Sequence, residues 1–297
     1  MRAKTLIQMK LRNWCKSMIA KPWRRALVSA AILGAIFSTL AAAQTYPAYG
    51  PVRGADLAWP AEPRGLGVPE SPREMTTALF RPSGAGPFPG LVIMPTCGGV
   101  RSHLHVWAER AVALGYVALI VDPLKPRGVA NNCLPPLGVT WPRLLKDAYD
   151  AAAQLRARAD VDPRRVALIG FSQGAMVGLA AADPSRAPDG APGFTAIASL
   201  YPACAFTMND LRWLPPRVGT PLLVLMGGRD NETPPAECQP LLAAAKQAAQ
   251  PVEWEFYPSA THCWDCVEFR ERGFSKRDWK RSEEHTSELQ SRLHLVC

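Results

Sequence analysis

Apolar and polar positions along the chain form two patterns, short apolar runs typical of buried strands and apolar positions at the spacing of helices. Short, mostly apolar runs predict buried strands at residues 91–94, 116–121, 166–169, 194–200, 222–226 and 252–257. Apolar side chains at helical spacing predict helices over residues 103–114, 141–157 and 235–249. Residues 75–81 are expected to form a further strand. Strands and helices should therefore follow one another along most of the chain.

This alternation indicates βαβ units, whose crossovers build a parallel sheet with helices on both faces. Residues 74–280 are therefore predicted to form one α/β domain around a mostly parallel, doubly wound sheet. Residues 44–73 are rich in proline and glycine and are expected to form an irregular N-terminal arm. The sequence contains no internal repeat and no sign of a second domain.

The first 43 residues have the layout of a secretory signal peptide. They contain eight Lys or Arg and no Asp or Glu, and the apolar run 26–40 is followed by Ala41-Ala42-Ala43. We expect cleavage after this run and export to the periplasm or the medium, leaving no membrane span in the mature chain. The alternative is a membrane anchor, because residues 26–43 are uncharged and reach the short limit for a span.

The segment 281–297 resembles a translated sequencing adapter more than a continuation of the domain. Its polar composition has no periodicity that continues the preceding pattern. We expect this tail to be non-native and the final helix of the domain to be missing. His285, His294 and Cys297 are therefore not considered as site residues.

The basic charge of the chain lies mostly in its leader. All 297 residues together carry a net charge of +9, whereas residues 44–280 hold 24 basic and 22 acidic side chains, a net charge of +2. Nearly balanced charge gives no support for a nucleic-acid partner.

Six cysteines lie between residues 44 and 280. An even number behind an export signal suggests disulfides formed in an oxidising compartment, although fifteen pairings are possible. The preferred hypothesis pairs Cys97 with Cys133, Cys204 with Cys238, and Cys263 with Cys266. The first two pairs would each link a loop after a strand to a nearby later segment.

The strongest chemical signal is the pentapeptide Gly170-Phe171-Ser172-Gln173-Gly174. It follows an apolar strand and precedes the small-residue stretch 175–180, which is the order of a nucleophile elbow. The turn of such an elbow is sharp, and glycine two residues before and two residues after the serine removes steric clashes. Ser172 is therefore the predicted nucleophile.

A serine hydroxyl needs a general base within reach, and that base needs an orienting acid. In the elbow architecture the chain order is Ser, then Asp or Glu, then His. His262, just after the strand 252–257, is the only histidine beyond Ser172 in the domain. Asp230, at the glycine turn after the strand 222–226, is the predicted acid, with Glu232 as runner-up.

Two backbone amides are predicted to bind the negative oxygen that develops during attack on a carbonyl. One belongs to Gln173, directly after the nucleophile. The other is assigned to Cys97, in the loop after the strand 91–94, where Gly98 and Gly99 allow close backbone approach.

Taken together, these motifs resemble the dienelactone hydrolase family of α/β-hydrolases. The matching residues are Cys97-Gly98-Gly99, Trp107-Ala108, Gly115-Tyr116-Val117-Ala118-Leu119, Asp122, Pro126-Arg127-Gly128, Asp162-Pro163, Arg165-Val166, the elbow, Tyr201-Pro202, Gly228, Asp230, and Tyr257-Pro258 before His262. The resemblance implies the α/β-hydrolase fold. It also implies that Ser172, Asp230 and His262 hydrolyse a small ester or lactone without a cofactor.

The chain departs from the family pattern at two places. Pro95-Thr96 stands where many relatives carry His-Gly. Ser172 stands where the type enzymes use cysteine, and relatives with serine are broader esterases. We therefore expect a general exported esterase more than an enzyme restricted to dienelactones.

Two other functions remain open. Cys263 and Cys266 have C-x-x-C spacing, which would suit an exported protein active in thiol–disulfide exchange. A non-catalytic binding protein on the hydrolase scaffold is the second alternative. A metal site is not expected, because His103 and His105 are two residues apart on a helix and should mark its start and its surface.

Overall fold

The protein is built around a seven-stranded sheet, described by a computed structural model for residues 78–134, 137–188, 191–205 and 213–266. The strands are β1 (Ala78–Phe80), β2 (Phe88–Met94), β3 (Val117–Ile120), β4 (Val161–Phe171), β5 (Ile197–Leu200), β6 (Leu222–Gly227) and β7 (Val252–Tyr257). Across the sheet they lie in the order β1-β3-β2-β4-β5-β6-β7. β1 is antiparallel to β3, and every other neighbouring pair is parallel. The predicted mostly parallel sheet is confirmed.

Within the described ranges, four α-helices connect the parallel strands. They are α1 (Ser102–Ala113), α2 (Trp141–Arg156), α3 (Gln173–Ala181) and α4 (Pro235–Gln247). The connection through α1 crosses the sheet toward β1, whereas the connections through α2, α3 and α4 cross toward β7. Right-handed crossovers therefore put α1 on one face and the other three helices on the opposite face. This arrangement confirms the predicted α/β-hydrolase type of fold.

The main core lies between the sheet and the three helices on one face. The apolar positions of α2 that helical spacing predicted are all buried: Leu144, Leu145, Ala148, Ala151, Ala152 and Leu155. They pack with central strand residues that are themselves closed to solvent, such as Val92 and Leu168. On the other face, α1 buries Leu104 and Trp107. Both faces of the central strands are covered, which explains their continuous apolar runs.

Some strand ends differ from those expected. β4 begins at Val161, five residues before the predicted start, and Phe88 of β2 pairs with Val161 across the sheet. This early part of β4 contains exposed polar residues, so pairing there depends on the backbone and leaves no apolar signal. Phe194 was predicted to start a strand. It is instead buried in a loop against Tyr149, with ring centroids 5.1 Å apart.

Several sequence predictions fall outside the described residues. They are the leader 1–43, the arm 44–73, the tail 281–297 and the first residues of the strand predicted at 75–81. Within the described ranges, no helix is long and apolar enough to cross a membrane.

Candidate active site

The predicted site residues meet at the carboxyl edge of the sheet. Ser172 follows β4, Asp230 lies in the turn after β6, and His262 lies in the loop after β7. Parallel strands bring their carboxyl ends to one edge, where the sites of open α/β sheets form. Sequence positions 90 residues apart are thereby brought within hydrogen-bond distance.

Ser172 occupies the tight turn that the pentapeptide predicted. Its φ angle is 51°, in the left-handed region that residues other than glycine rarely adopt. A Cβ atom on Gly170 would collide with the Gly174 carbonyl and lie 2.7 Å from the Ala175 nitrogen. A Cβ atom on Gly174 would collide with the Met94 carbonyl oxygen and lie 2.6 Å from that of Pro95. Both glycines are therefore required by the close backbone approach around the serine.

The three side chains form a continuous hydrogen-bonded series. Ser172 Oγ lies 3.0 Å from His262 Nε2, and His262 Nδ1 lies 2.8 Å from Asp230 Oδ2. The Asp230 side chain is 1% exposed and that of His262 is 10% exposed. This arrangement allows the imidazole to take a proton from the hydroxyl while the carboxylate holds the opposite ring nitrogen.

The carboxylate of Asp230 is fixed by further donors from its own turn. Oδ1 accepts from the amides of Glu232 at 2.9 Å and Thr233 at 2.8 Å, and Thr233 Oγ1 lies 2.8 Å from Oδ2. Burial alone would raise the pKa of Asp230. The hydrogen bond and charge of His262, together with the Thr233 donors, outweigh burial and hold this pKa below its ordinary value of 3.8. Asp230 is thus held in its charged form.

Glu232, the runner-up acid, lies near the other ring nitrogen of His262. Its Oε2 is 3.6 Å from His262 Nε2, the nitrogen that faces Ser172, and its side chain is 70% exposed. Asp230 therefore has the position of the orienting acid, beside Nδ1. The turn that carries Asp230 is also joined to the histidine loop by the backbone, since the Arg229 amide donates to the Ala260 carbonyl at 2.9 Å.

The loop that carries Cys97 lies against the elbow. The Gly174 amide donates to the Pro95 carbonyl at 2.9 Å, and the Cys97 carbonyl accepts from the Asn132 amide at 2.8 Å. The Asn132 and Gln173 residues are also joined by a side-chain hydrogen bond of 3.1 Å. Within the described ranges, the backbone amides of Gln173 and Cys97 donate to no protein group. The role of Asn132 had no signal in the sequence, because a buried asparagine in a loop has no period or motif.

All three predicted cysteine pairs are brought together. Their Cα–Cα distances are 4.8 Å for Cys97 and Cys133, 4.9 Å for Cys204 and Cys238, and 5.3 Å for Cys263 and Cys266. These separations lie within the range that disulfides require. The first pair lies between the loop of Cys97 and the segment of Asn132, and therefore next to the elbow.

His103 lies at the start of α1, as predicted, but its burial was not predicted. His103 is 1% exposed and packs edge-on against Phe171, with ring centroids 5.5 Å apart, whereas His105 is exposed as expected. The histidine is buried because the loop after β7 folds over the start of α1, a contact between distant segments that spacing along a helix cannot predict.

The contact between this loop and α1 brings together the one group of side chains among the described residues that could bind a metal ion. Ligand atoms of His103, Cys263, Asp265 and Cys266 lie within 4.8 Å of one another, and all four residues are buried. Cysteine binds a metal as a thiolate. A disulfide between Cys263 and Cys266 would leave only His103 and Asp265, two ligands fewer than a structural zinc site uses.

Comparison with known proteins gives a family match over most of the chain. The sequence model of the dienelactone hydrolase family matches residues 75–291, which includes part of the tail predicted to be non-native. Two uncharacterized proteins of Mycobacterium tuberculosis, from strains CDC 1551 / Oshkosh and ATCC 25618 / H37Rv, are each 29% identical to the chain over 258 residues. Each alignment covers 80% of this chain and 85% of the relative.

Solved structures with the same fold include known esterases. Esterase 2 of Thermogutta terrifontis superposes with a TM-score of 0.57 at 18% identity, over 75% of this chain and 91% of that one, in a form phosphorylated by paraoxon. Another structure of that esterase has propionate bound. An α/β-hydrolase from a Medee basin deep-sea metagenome library superposes with a TM-score of 0.54 at 20% identity, over 74% of this chain and 93% of that one.

Proposed function

The chain belongs to the dienelactone hydrolase family and is an ester hydrolase of the α/β-hydrolase fold, and from this premise we propose that Ser172, His262 and Asp230 are its catalytic triad. The observation that carries the proposal is the series of two hydrogen bonds, 3.0 Å from Ser172 to His262 and 2.8 Å from His262 to Asp230. The proposed reaction is hydrolysis of a carboxylic ester or lactone through an acyl-enzyme.

The reaction begins when Ser172 Oγ attacks the substrate carbonyl carbon. His262 Nε2 takes the hydroxyl proton, and the Nδ1 proton stays hydrogen-bonded to the Asp230 carboxylate, which stabilises the imidazolium. His262 then gives its proton to the leaving alcohol, and the serine remains acylated. In the second half, His262 takes a proton from water, which attacks the acyl carbonyl; His262 then returns the proton to Ser172 Oγ as the acid leaves.

The negative oxygen of each tetrahedral intermediate needs donors that are already in place. We assign this role to the backbone amides of Gln173 and Cys97. Gln173 begins α3, whose first amides have no partner within the helix. The Cys97 loop is held against the elbow by the bond from the Gly174 amide to the Pro95 carbonyl. These contacts support the assignment because they leave both donors little freedom to move.

The experiment is hydrolysis of p-nitrophenyl acetate and butyrate by the full chain. Ser172→Ala should lower kcat/KM by about 10⁴-fold or more. Ser199→Ala is the matched control: Ser199 is also a buried serine at the carboxyl half of a strand, but its hydroxyl donates to the Ala175 carbonyl. That variant should keep wild-type kcat. Equal activity of the wild type and Ser172→Ala would reject the triad, and no activity in either would favour a binding protein on the same scaffold.

We further propose that the protein is exported to the periplasm or the medium, with the three cysteine pairs oxidised to disulfides. The leader 1–43 and the even number of cysteines support export, and the three short Cα–Cα distances are compatible with disulfides. Cell fractionation with N-terminal sequencing tests cleavage after residue 43. Peptide mapping without reductant tests the pairing, and six free thiols would contradict it.

A further inference from the structure

A buried carboxylate lies three residues after the histidine. Asp265 is 7% exposed, and both of its oxygens accept hydrogen bonds from other parts of the chain. Oδ2 accepts from Trp107 Nε1 of α1 at 2.7 Å, and Oδ1 accepts from the Tyr201 hydroxyl, after β5, at 2.8 Å. A buried carboxylate is costly unless it is hydrogen-bonded, so these two contacts define where this part of the loop can lie.

Tyr201 connects Asp265 to the proposed triad. It is 1% exposed and has a φ angle of 44°, and its amide donates to the Leu225 carbonyl of β6 at 2.8 Å. Its ring packs edge-on against His262, with centroids 4.9 Å apart. Its carbonyl oxygen lies 3.1 Å from Thr233 Oγ1, which also contacts Asp230. One residue therefore contacts the histidine directly and the acid through a threonine.

Side chains supply the other contacts of this stretch of the histidine loop: Trp264 packs against Tyr201 and Tyr257, and Cys266 Sγ lies 3.7 Å from His103 Nδ1. Within residues 261–266, the backbone hydrogen bonds of the described structure stay inside the loop: the Cys266 amide donates to the Cys263 carbonyl at 2.9 Å, and Thr261 Oγ1 donates to the His262 carbonyl at 3.5 Å. The Ala260 carbonyl is the last backbone group before His262 that bonds another element, the turn after β6. Side chains must therefore fix the position of His262 relative to Ser172.

We propose that Asp265 is a positioning residue for His262: through Trp107 and Tyr201 it anchors the turn 262–266 so that the imidazole stays within reach of both Ser172 and Asp230. The inference rests on the proposed triad and adds to it a device that holds the base. Asp265 does not touch the reacting atoms. Its effect is on the fraction of molecules in which the imidazole has the productive position.

The expected consequence is a loss in kcat with little change in KM. Removing the carboxylate leaves the indole N–H and the tyrosine hydroxyl without their acceptor, and the turn is free to shift. A displacement of about 1 Å at a catalytic group can lower the rate about 100-fold, so we expect kcat of Asp265→Ala to fall about 10- to 100-fold. Because the proposed role is to position the base for the chemical step, KM should change by less than about threefold.

The conservative variant should rescue the activity. In Asp265→Asn the amide oxygen can accept from Trp107, and the amide nitrogen can donate to the Tyr201 hydroxyl, which can accept as well as donate. We expect its kcat within about threefold of wild type, because both contacts persist in neutral form. Tyr201→Phe removes the hydroxyl that donates to Asp265. Combined with Asp265→Ala, it should lower kcat no further than Asp265→Ala alone.

A second measurement reports the position of His262 without any substrate turnover. The proton between His262 Nδ1 and Asp230 should give a downfield ¹H NMR resonance in the wild type, in Asp265→Asn and in the control Asp183→Ala. Asp183 is equally buried and accepts from the Ser185 amide and hydroxyl, outside the site. In Asp265→Ala and Tyr201→Phe this resonance should broaden or vanish while circular dichroism stays native.

These readouts separate the two proposals. If the wild type hydrolyses no ester, the triad proposal fails, and the resonance still reports whether Asp265 holds His262. The positioning role is overturned if folded Asp265→Ala keeps kcat within about twofold of wild type. It is also overturned if only KM rises, or if Asp183→Ala lowers kcat equally. If Asp265→Ala does not fold, an unchanged kcat and resonance in folded Tyr201→Phe would overturn it.

Discussion

Asp230→Asn changes one oxygen of the proposed triad to an amide nitrogen, and the surrounding donors fix which one. Oδ1 accepts from two backbone amides, those of Glu232 and Thr233, which cannot face an NH₂ group. The new nitrogen must therefore occupy the position of Oδ2, 2.8 Å from His262 Nδ1. From there it donates to Nδ1 and to Thr233 Oγ1, which in turn donates to the Tyr201 carbonyl. Every polar group in this network remains satisfied.

The imidazole is then left in the wrong tautomer. With Nδ1 as acceptor, the ring proton sits on Nε2 and points at Ser172 Oγ, so the ring has no lone pair for the serine proton. Loss of the correct tautomer in a serine triad lowers kcat about 10⁴-fold. At about 1.4 kcal/mol per factor of ten, this corresponds to about 5.5 kcal/mol of transition-state stabilisation.

The assay measures kcat and KM for p-nitrophenyl butyrate at neutral pH, with the melting temperature of each variant. Asp230→Asn should lose about 10⁴-fold in kcat while it still unfolds cooperatively, because its hydrogen bonds are replaced one for one and only the stability contributed by the charged carboxylate is lost. Glu232→Gln is the matched control. This carboxylate is also close to His262 but is 70% exposed, and kcat should stay within about threefold of wild type.

Measured kcat values of the two variants can refute the role of Asp230 as the orienting acid. An Asp230→Asn variant that keeps more than about a tenth of wild-type kcat would show that the orientation of His262 does not depend on this carboxylate. A large loss in Glu232→Gln with full activity in Asp230→Asn would make Glu232 the acid, the alternative that the sequence left open.

Three further predictions concern stability, each measured by urea unfolding. Gly170→Ala places a Cβ atom against the Gly174 carbonyl and should lower the free energy of unfolding by about 1–3 kcal/mol; an unchanged midpoint would contradict the close approach. Arg127→Met removes the guanidinium that donates two hydrogen bonds to the buried Asp147 carboxylate and should cost about 3–5 kcal/mol, largely recovered when Asp147→Leu is added. Because the folded pKa of Asp230 is depressed, its contribution is present above the unfolded pKa of about 3.9 and is lost as pH falls through the folded pKa. Asp230→Asn should therefore flatten the loss of stability below about pH 4.

Much of the fold could be predicted because buried parallel strands and amphipathic helices leave a periodic signal. The apolar runs of β2, β3 and β6 lie at the expected residues, as do the helical positions of α2. The early part of β4 could not be predicted, since its pairing with β2 uses backbone groups beneath exposed polar side chains. Phe194 is apolar because it packs against Tyr149 in a loop. The sequence does not distinguish this burial from the burial of a strand residue.

The site residues also fall into those that the sequence could predict and those that it could not. Ser172, Asp230 and His262 could be selected because the elbow and the chain order restrict them to few positions. Asp265, Trp107 and the buried position of His103 could not, since their contacts join segments about 160 residues apart that share no period. The hydroxyl contact of Tyr201 is equally hidden, although its dipeptide with Pro202 matches the family pattern.

The most direct test of the proposed triad is covalent labelling of the nucleophile. The full chain is incubated with paraoxon or a fluorophosphonate, digested with trypsin and examined by mass spectrometry for the peptide 166–186, which contains Ser172. We expect one adduct, on Ser172, which forms with loss of esterase activity and is absent from Ser172→Ala. Full inhibition with an adduct on another residue, or continued ester turnover after complete labelling of Ser172, would contradict it.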